Sequence, residues 1–175
     1  MNMNLPNKLT MLRVVMIPFF VAAQLTGHQT IALILFIAAS LTDMLDGKIA
    51  RKYNLITNFG KFADPLADKL LVTAAMLCLL YQGRINLILV ILIISREFIV
   101  TGFRLIAAEE GIVIAASMWG KVKTTVQMIM VIVLLLGLPG AFWGVLGLIL
   151  QVAAGALTVI SGVDYLVKNS QVLKD

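Results

Sequence analysis

The sequence predicts an all-α integral membrane protein, and three features favour this class: high hydropathy, apolar runs of spanning length and unevenly distributed basic residues. Hydrophobic residues make up 61% of the chain and charged residues only 13%, and the mean hydropathy is +1.00. An ordinary soluble domain has about 25% charged residues. The composition therefore excludes a typical soluble protein and indicates a chain that lies in a lipid bilayer.

Apolar runs place six transmembrane helices in this chain. A hydrocarbon core of about 30 Å takes roughly 20 helical residues, and turn or breaker residues separate the runs. The 175 residues suit one membrane domain, 1–175, with short loops and no sizeable soluble part. The helices are predicted at residues 8–26, 30–52, 62–81, 85–108, 119–137 and 141–167, which leaves the polar stretch 52–61 as a loop.

The basic residues predict the orientation in the membrane. Six helices put both termini on one side, and Arg84 is the only basic residue in the loops of the other side. By the positive-inside rule the termini and the loops 52–61 and 108–119 are cytoplasmic, in a multi-pass protein of the cell (inner) membrane. The basic residues on the predicted cytoplasmic side are Lys8, Arg13, Lys48, Arg51, Lys52, Lys61, Arg104, Lys121, Lys123, Lys168 and Lys174.

The formal net charge of +5 does not indicate a nucleic-acid partner. Nucleic-acid-binding chains cluster lysine and arginine in a dense run or on one face, whereas the basic residues here are spread among loop positions. Membrane topology explains the positive charge better, so no nucleic acid is expected as a partner.

Four aspartates in one short segment are the candidate catalytic centre. Asp43 and Asp46 are three residues apart, and Asp64 and Asp68 are four apart, so each pair shares one face of a helix. The helical hairpin brings both pairs to one polar cavity at the cytoplasmic side. Carboxylates this close repel one another, and a divalent cation removes the repulsion. Carboxylate oxygens suit Mg2+ or Mn2+, and two such ions would suit displacement at phosphorus.

The residues between the aspartates fit a phosphate-bearing substrate. Gly47 and Ala50 leave space beside the second helix for a bulky group. Arg51, next along the chain, offers a guanidinium to phosphate. Gly60 and Lys61 open the third helix, where backbone amides, helix polarity and a cation favour an anion.

Together these residues form the pattern Asp-x2-Asp-Gly-x2-Ala-Arg-x8-Gly-x3-Asp-x3-Asp, which resembles the CDP-alcohol phosphotransferase signature at all eight positions. The resemblance implies that Asp43, Asp46 and Asp64 bind metal. It also implies that Asp68 binds metal and acts as the general base that takes the proton of an acceptor hydroxyl. Six transmembrane helices and, usually, a homodimer are further implications of the family.

A second resemblance concerns the N-terminal run Leu5-Pro6-Asn7-Lys8-Leu9-Thr10-x2-Arg13, which looks like the opening of the bacterial phosphatidylglycerophosphate synthases. It implies CDP-diacylglycerol and sn-glycerol 3-phosphate as substrates, with the lipid tails in the membrane and CMP released. The candidate residues for CDP-diacylglycerol are Asn7, Thr10, Arg13, Gly47, Ala50, Arg51, Gly60 and Lys61.

Four basic residues are candidates for binding the acceptor phosphate: Arg96 inside the fourth predicted helix, and Arg104, Lys121 and Lys123 at the predicted cytoplasmic mouth. An alternative is that Arg104, Lys121 and Lys123 anchor the helices at the membrane surface. Glu97 has a structural alternative too, because it could neutralise a buried cation such as Arg96, Arg104 or Lys121.

Two other functions remain open at this point. Related enzymes that use other acceptors share parts of the pattern, so a cardiolipin, phosphatidylserine or phosphatidylinositol-phosphate type of synthase is an alternative. From a different class, intramembrane acids also mark cation pathways in transporters. A conduction path, however, has no need of Gly47, Ala50 and Arg51 at these spacings.

Overall fold

Six α-helices follow one another in the computed structural model, which describes residues 4–53, 57–109, 111, 114–115 and 117–169. Within the helices, the side chains of residues 44, 46–48, 50–52, 58–59, 61–62 and 109 are outside the description. The helices are α1 Leu5–Leu25, α2 Gln29–Lys52, α3 Asn58–Tyr81, α4 Leu87–Glu109, α5 Met118–Leu136 and α6 Ala141–Lys168. The predicted all-α class and the six helices are therefore confirmed for the described residues.

Side-chain caps explain why two helices start earlier than the apolar runs predict. The Asn4 side chain accepts a hydrogen bond from the Asn7 amide, so α1 begins at Leu5 instead of residue 8. The Thr57 side chain accepts from the Gly60 amide, so α3 begins at Asn58 instead of residue 62. Capping satisfies amides that have no partner within the helix. Residues 58–61 thus belong to α3, so the predicted loop 52–61 ends earlier than expected, while Gly60 and Lys61 lie in the first turn of the third helix as predicted.

The first compact unit contains α1, α2 and α3, with residues 135–137. α1 packs against both α2 and α3. Phe20 of α1 and Phe36 of α2 are fully buried, with ring centroids 5.8 Å apart. Ala32 and Ala39 of α2 are also fully buried. Small residues at such positions let two helices approach closely, and this close packing brings the polar end of α1 against its neighbours.

The second compact unit contains α4, α6 and most of α5. Val100, Phe103 and Ala107 of α4 form a buried cluster with Tyr165 of α6. The rings of Phe103 and Tyr165 meet edge to face, with centroids 5.8 Å apart. This geometry is favoured by the charge distribution of aromatic rings. The cluster holds α4 against α6 next to the basic residues of this unit.

Three of the described helices, α1, α5 and α6, are long and apolar enough to cross a membrane by length and composition. The apolar part of α2, Gln29–Asp43, is shorter. In α3 and α4, charged residues interrupt the apolar character. They are Lys61, Asp64, Asp68 and Lys69 in α3, and Arg96, Glu97, Arg104 and Glu109 in α4. Membrane character is thus supported, whereas six spans remain a prediction.

Candidate active site

Two of the four predicted aspartates meet in the first unit. Asp43 of α2 and Asp64 of α3 lie close enough for their carboxylates to repel each other. The Asp43 side chain is 38% exposed, so it can receive a ligand from solution. Asp68 is one turn after Asp64 on α3 and is half-buried. The structure therefore brings Asp43 and Asp64 together as the spacing predicts, while the Asp46 side chain lies outside the description.

Arg13 of α1 is the nearest described counter-charge to Asp43. Its side chain is fully buried, and its Nη1 lies 2.9 Å from Asp43 Oδ1. Its Nε donates to the Ala39 carbonyl oxygen at 3.2 Å. The guanidinium is planar and always charged, so these two contacts fix its orientation. Arg13 thus compensates one of the two carboxylates and is closed to solvent.

Thr10 of α1 contacts the other carboxylate. Its hydroxyl donates to Asp64 Oδ1 at 2.5 Å. The same oxygen lies 3.2 Å from the Pro6 carbonyl oxygen. A hydroxyl carries one hydrogen, and the shorter contact indicates that this hydrogen points to Asp64. Thr10 is fully buried.

A chain of hydrogen bonds joins the start of α3 to α1. The Gly60 amide donates to Thr57 Oγ1 at 3.0 Å, and Thr57 Oγ1 donates to Asn7 Oδ1 at 3.0 Å. A Cβ on Gly60 would lie 3.1 Å from Asn7 Oδ1 and 3.6 Å from Asp64 Oδ2. Only glycine fits this approach without displacing the neighbours. The absence of a side chain at Gly60 therefore lets α1 and α3 meet beside the Asp64 carboxylate.

Five other predicted residues lie on α2 and α3. The side chains of Arg51, Lys61 and Asp46, and the surroundings of Gly47 and Ala50, lie outside the described part of the structure. The backbone of all five is helical. Their assignments as metal or CDP-diacylglycerol ligands stay predictions.

The donor set around Asp43 and Asp64 fits a hard divalent cation. The Asp43 carboxylate pairs with Arg13 and is still 38% exposed, and the Asp64 carboxylate accepts a hydrogen bond from the neutral Thr10 hydroxyl. Mg2+ prefers this type of ligand and is often bound by one or two carboxylates together with substrate phosphates. No group of three or more His, Cys, Asp or Glu that could hold a metal occurs among the described residues, and the Asp46 side chain is outside them.

The candidate acceptor-binding residues lie in the second unit, where Glu97 joins two of them. Lys123 Nζ lies 2.5 Å from Glu97 Oε1, and Arg96 Nη1 lies 3.3 Å from the same oxygen. Lys123 is fully buried. The sequence left open whether Glu97 neutralises a cation such as Arg96, Arg104 or Lys121 or contacts the substrate. The structure confirms the contact with Arg96 and adds Lys123 as the closer partner.

Arg104 and Lys121 have a different environment, because both side chains are exposed. The Arg104 Nε lies 3.4 Å from the Tyr165 hydroxyl, and its guanidinium carbon lies 5.7 Å from the centre of the Tyr165 ring. A cation over an aromatic face is stabilised electrostatically. Arg104 is therefore held by Tyr165 and still accessible, which suits contact with an anion better than the buried Lys123 does.

Comparison with known proteins decides the family. The family model for CDP-alcohol phosphatidyltransferases matches residues 3–162 of this chain. The chain belongs to the CDP-alcohol phosphatidyltransferase family. A Bacillus subtilis protein named CDP-diacylglycerol–glycerol-3-phosphate 3-phosphatidyltransferase is 48% identical over 98% of this chain and 97% of its own length. A Rickettsia felis protein of the same name is 40% identical over 93% of each chain. A Mycobacterium tuberculosis protein named probable phosphatidylglycerophosphate synthase is 40% identical over 94% of this chain and 81% of its own length.

In this CDP-alcohol phosphatidyltransferase, sequence reasoning missed the roles of Thr57 and Tyr165. Thr57 precedes the helix by one residue and lies three before Gly60, which is the usual position of a capping threonine. That signal was available in the sequence. The contact between Arg104 and Tyr165 joins residues far apart in the chain, and no local pattern predicts it.

Proposed function

We propose that this chain transfers the phosphatidyl group of CDP-diacylglycerol to sn-glycerol 3-phosphate, which gives phosphatidylglycerophosphate and CMP. The similarity to the Bacillus subtilis CDP-diacylglycerol–glycerol-3-phosphate 3-phosphatidyltransferase, over nearly the full length of both chains, carries this proposal. The carboxylates of Asp43 and Asp64 support it, because both contact the same side of α1, Asp43 at Arg13 and Asp64 at Thr10, and together could bind a metal ion with a diphosphate. The proposed reaction is one step of phospholipid biosynthesis.

In the proposed mechanism Asp68 is the general base. It accepts the proton of the glycerol 3-phosphate hydroxyl as that oxygen attacks the phosphorus bearing the diacylglycerol group. The bond from this phosphorus to the bridging diphosphate oxygen breaks, and CMP leaves with the electron pair. Asp68 is half-buried and lies one turn after Asp64 on α3. The proposed general base would therefore lie next to a proposed metal ligand.

Asp43, Asp46, Asp64 and Asp68 would hold Mg2+ or Mn2+, two ions per site, as the family resemblance implies. When bound, the metal supplies positive charge that neutralises the diphosphate and stabilises the leaving CMP. The protein contributes the carboxylates, and Arg13 offsets part of their negative charge. We also propose that catalysis depends on the metal and that the chain forms a homodimer.

We propose a multi-pass protein of the cell membrane in which all six helices span and both termini and the active site are cytoplasmic. Large apolar side chains are exposed on the described helices, including Phe19, Ile34, Ile88, Phe98 and Phe142. Exposed apolar surface on this scale is typical of contact with lipid. Diacylglycerol tails would stay in the lipid while the cytidine nucleotide and glycerol 3-phosphate enter from the cytoplasm.

The proposed topology predicts that Tyr53, between α2 and α3, and Tyr81, at the end of α3, are accessible from opposite sides of the membrane. In a Cys78→Ala background, Tyr53→Cys should react with a membrane-impermeant thiol reagent only from the cytoplasmic side, and Tyr81→Cys only from outside. Both tyrosines are exposed, at 62% and 80%, so access is not limited by packing. Inside-out and right-side-out vesicles separate the two sides. Labelling of both positions from one side would contradict the six-span arrangement.

The acceptor phosphate is expected to bind to Arg104 and Lys121, because both are cationic and exposed. Arg104→Gln or Lys121→Gln should weaken the use of glycerol 3-phosphate by about 1.5–3 kcal/mol, the usual value of a hydrogen bond to a charged group. The apparent affinity for CDP-diacylglycerol should change less. Steady-state kinetics with each substrate varied in turn measures the difference.

Lys168→Gln is the matched control for these two variants. Lys168 is an exposed lysine in the same unit and pairs with Asp164, and no role in acceptor binding is proposed for it. Native glycerol 3-phosphate kinetics in both Arg104→Gln and Lys121→Gln would place the phosphate elsewhere, with Arg96 and Lys123 as the remaining candidates.

The choice of acceptor tests the proposed function. Purified protein is incubated with CDP-diacylglycerol and, separately, with glycerol 3-phosphate, glycerol, inositol, serine or phosphatidylglycerol, and CMP release is measured. Glycerol 3-phosphate should be the best acceptor, and uncharged glycerol and inositol should be poor. A clear preference for serine or phosphatidylglycerol would replace the proposed acceptor and leave the family's chemistry in place.

A further inference from the structure

Asn7, Thr10 and Arg13 form a polar stripe along one side of α1. They are three residues apart, so they share a helix face. Asn7 is 6% exposed, and Thr10 and Arg13 are fully buried. Polar and charged side chains are rarely buried to this extent unless they have specific partners. The hydrogen-bond and ion-pair partners of these three residues therefore indicate which role they have in the site.

Each member of the stripe reaches a different part of the aspartate site. Thr10 donates to Asp64 Oδ1 at 2.5 Å, and Arg13 Nη1 lies 2.9 Å from Asp43 Oδ1. Asn7 accepts from Thr57, the cap of the helix that carries Asp64. One helix thus contacts both carboxylates and the start of α3.

The side chains of α1 contact only the Oδ1 oxygen of each carboxylate among the described contacts. Thr10 occupies Oδ1 of Asp64, whereas Oδ2 lies on the side where Gly60 has no side chain. Arg13 occupies Oδ1 of Asp43 and is itself anchored to the Ala39 carbonyl of α2. In each aspartate the contact from α1 engages Oδ1, and in Asp64 the other oxygen faces Gly60, which has no side chain.

We propose that Thr10 and Arg13 are positioning residues, which orient Asp64 and Asp43 for a divalent cation instead of contacting CDP-diacylglycerol. The inference rests on the proposed function, because it presumes that these aspartates bind metal. Hydrogen bonds to ligating carboxylates commonly orient them, and removal of such a bond typically costs about 10–100-fold in metal affinity or activity. Complete burial of Thr10 and Arg13 separates this role from direct substrate binding.

Mn2+ binding by the purified full-length protein without substrates is the primary test, with free Mn2+ measured by electron paramagnetic resonance. Thr10→Val keeps the shape of the side chain and removes the hydroxyl, so Mn2+ affinity should fall about 10–100-fold. Thr10→Ser restores the hydroxyl and should restore most of the affinity. The Mn2+ concentration that gives half-maximal CMP release should rise in Thr10→Val and return most of the way to the native value in Thr10→Ser.

Thr158→Val is the matched control. Thr158 is an equally buried helical threonine in α6, and its hydroxyl bonds only to the Ala154 carbonyl at 2.7 Å among the described contacts. The Thr158→Val variant should bind Mn2+ with the affinity of the native protein. If Thr10→Val does not yield folded protein by circular dichroism, Thr10→Ala removes the same hydroxyl without the added methyl group and serves in its place.

Two outcomes would overturn the inference. Native Mn2+ affinity in folded Thr10→Val, with a raised KM for CDP-diacylglycerol, would assign Thr10 to the substrate. Equal loss of affinity in Thr10→Ser and Thr10→Val would show that the hydroxyl is not the cause. Failure of the proposed function is distinguishable, since then the native protein would form no lipid product from CDP-diacylglycerol and glycerol 3-phosphate, whatever its Mn2+ affinity.

Discussion

Asp64→Asn and Asp43→Asn are each expected to reduce CMP release to background at saturating Mg2+. The two carboxylates lie close together on adjacent helices, and each replacement removes a charged oxygen ligand from the proposed metal site. A weaker metal site loses its hold on the diphosphate, so binding and turnover should fall together. CMP release from CDP-diacylglycerol and glycerol 3-phosphate, measured over a Mg2+ and Mn2+ titration, gives the result.

Asp164→Asn provides the control for loss of an aspartate in a helix. Asp164 is a mostly buried aspartate of α6 that pairs with Lys168, and it belongs to the second unit. This variant should retain activity near the native level. Near-native turnover in Asp64→Asn or Asp43→Asn, at saturating metal, would contradict their assignment as metal ligands.

Asp68→Asn is expected to lower kcat by about 10²–10⁴-fold, the usual contribution of a general base. Asparagine has nearly the same shape and cannot accept the proton of the acceptor hydroxyl. Binding of CDP-diacylglycerol should be retained in part, because Asp43 and Asp64 remain. The two effects are separated by measuring kcat and, independently, the binding of CDP-diacylglycerol.

The outcome for Asp68 has two informative alternatives. A variant that binds no nucleotide would make Asp68 a metal ligand only. A variant with native kcat would show that a different group takes the proton. A pH profile of kcat supports the assignment if the fall in kcat at low pH, which protonation of a catalytic carboxylate produces, disappears in Asp68→Asn.

Much of the fold was predictable because it depends on local features of the sequence. Apolar runs and turn residues located all six helices, since each of them needs only its own residues to be recognised. The start of α3 was missed because the apolar run begins after the polar first turn. The Thr57 cap, not hydropathy, sets that boundary. Hydropathy finds the buried middle of a helix, whereas capping decides its end.

The site was predictable in its residue types and less so in its contacts. The spacing of Asp43 and Asp64 on a helical hairpin predicts that they approach each other, and both contact α1, Asp43 at Arg13 and Asp64 at Thr10. The contact of Arg13 with Asp43 crosses from α1 to α2, and that of Lys123 with Glu97 crosses from α5 to α4. Such pairs depend on how helices pack, and the register between two helices is not encoded in either of them alone.

Product formation by the purified chain tests the central claim most directly. The protein is incubated with CDP-diacylglycerol and labelled sn-glycerol 3-phosphate, the lipid product is identified by mass spectrometry, and CMP is quantified in the same sample. We expect equal amounts of phosphatidylglycerophosphate and CMP from the native protein, and neither from Asp64→Asn. Cation flux in sealed vesicles without CMP release, or a lipid product that lacks the glycerol 3-phosphate label, would contradict the proposed function.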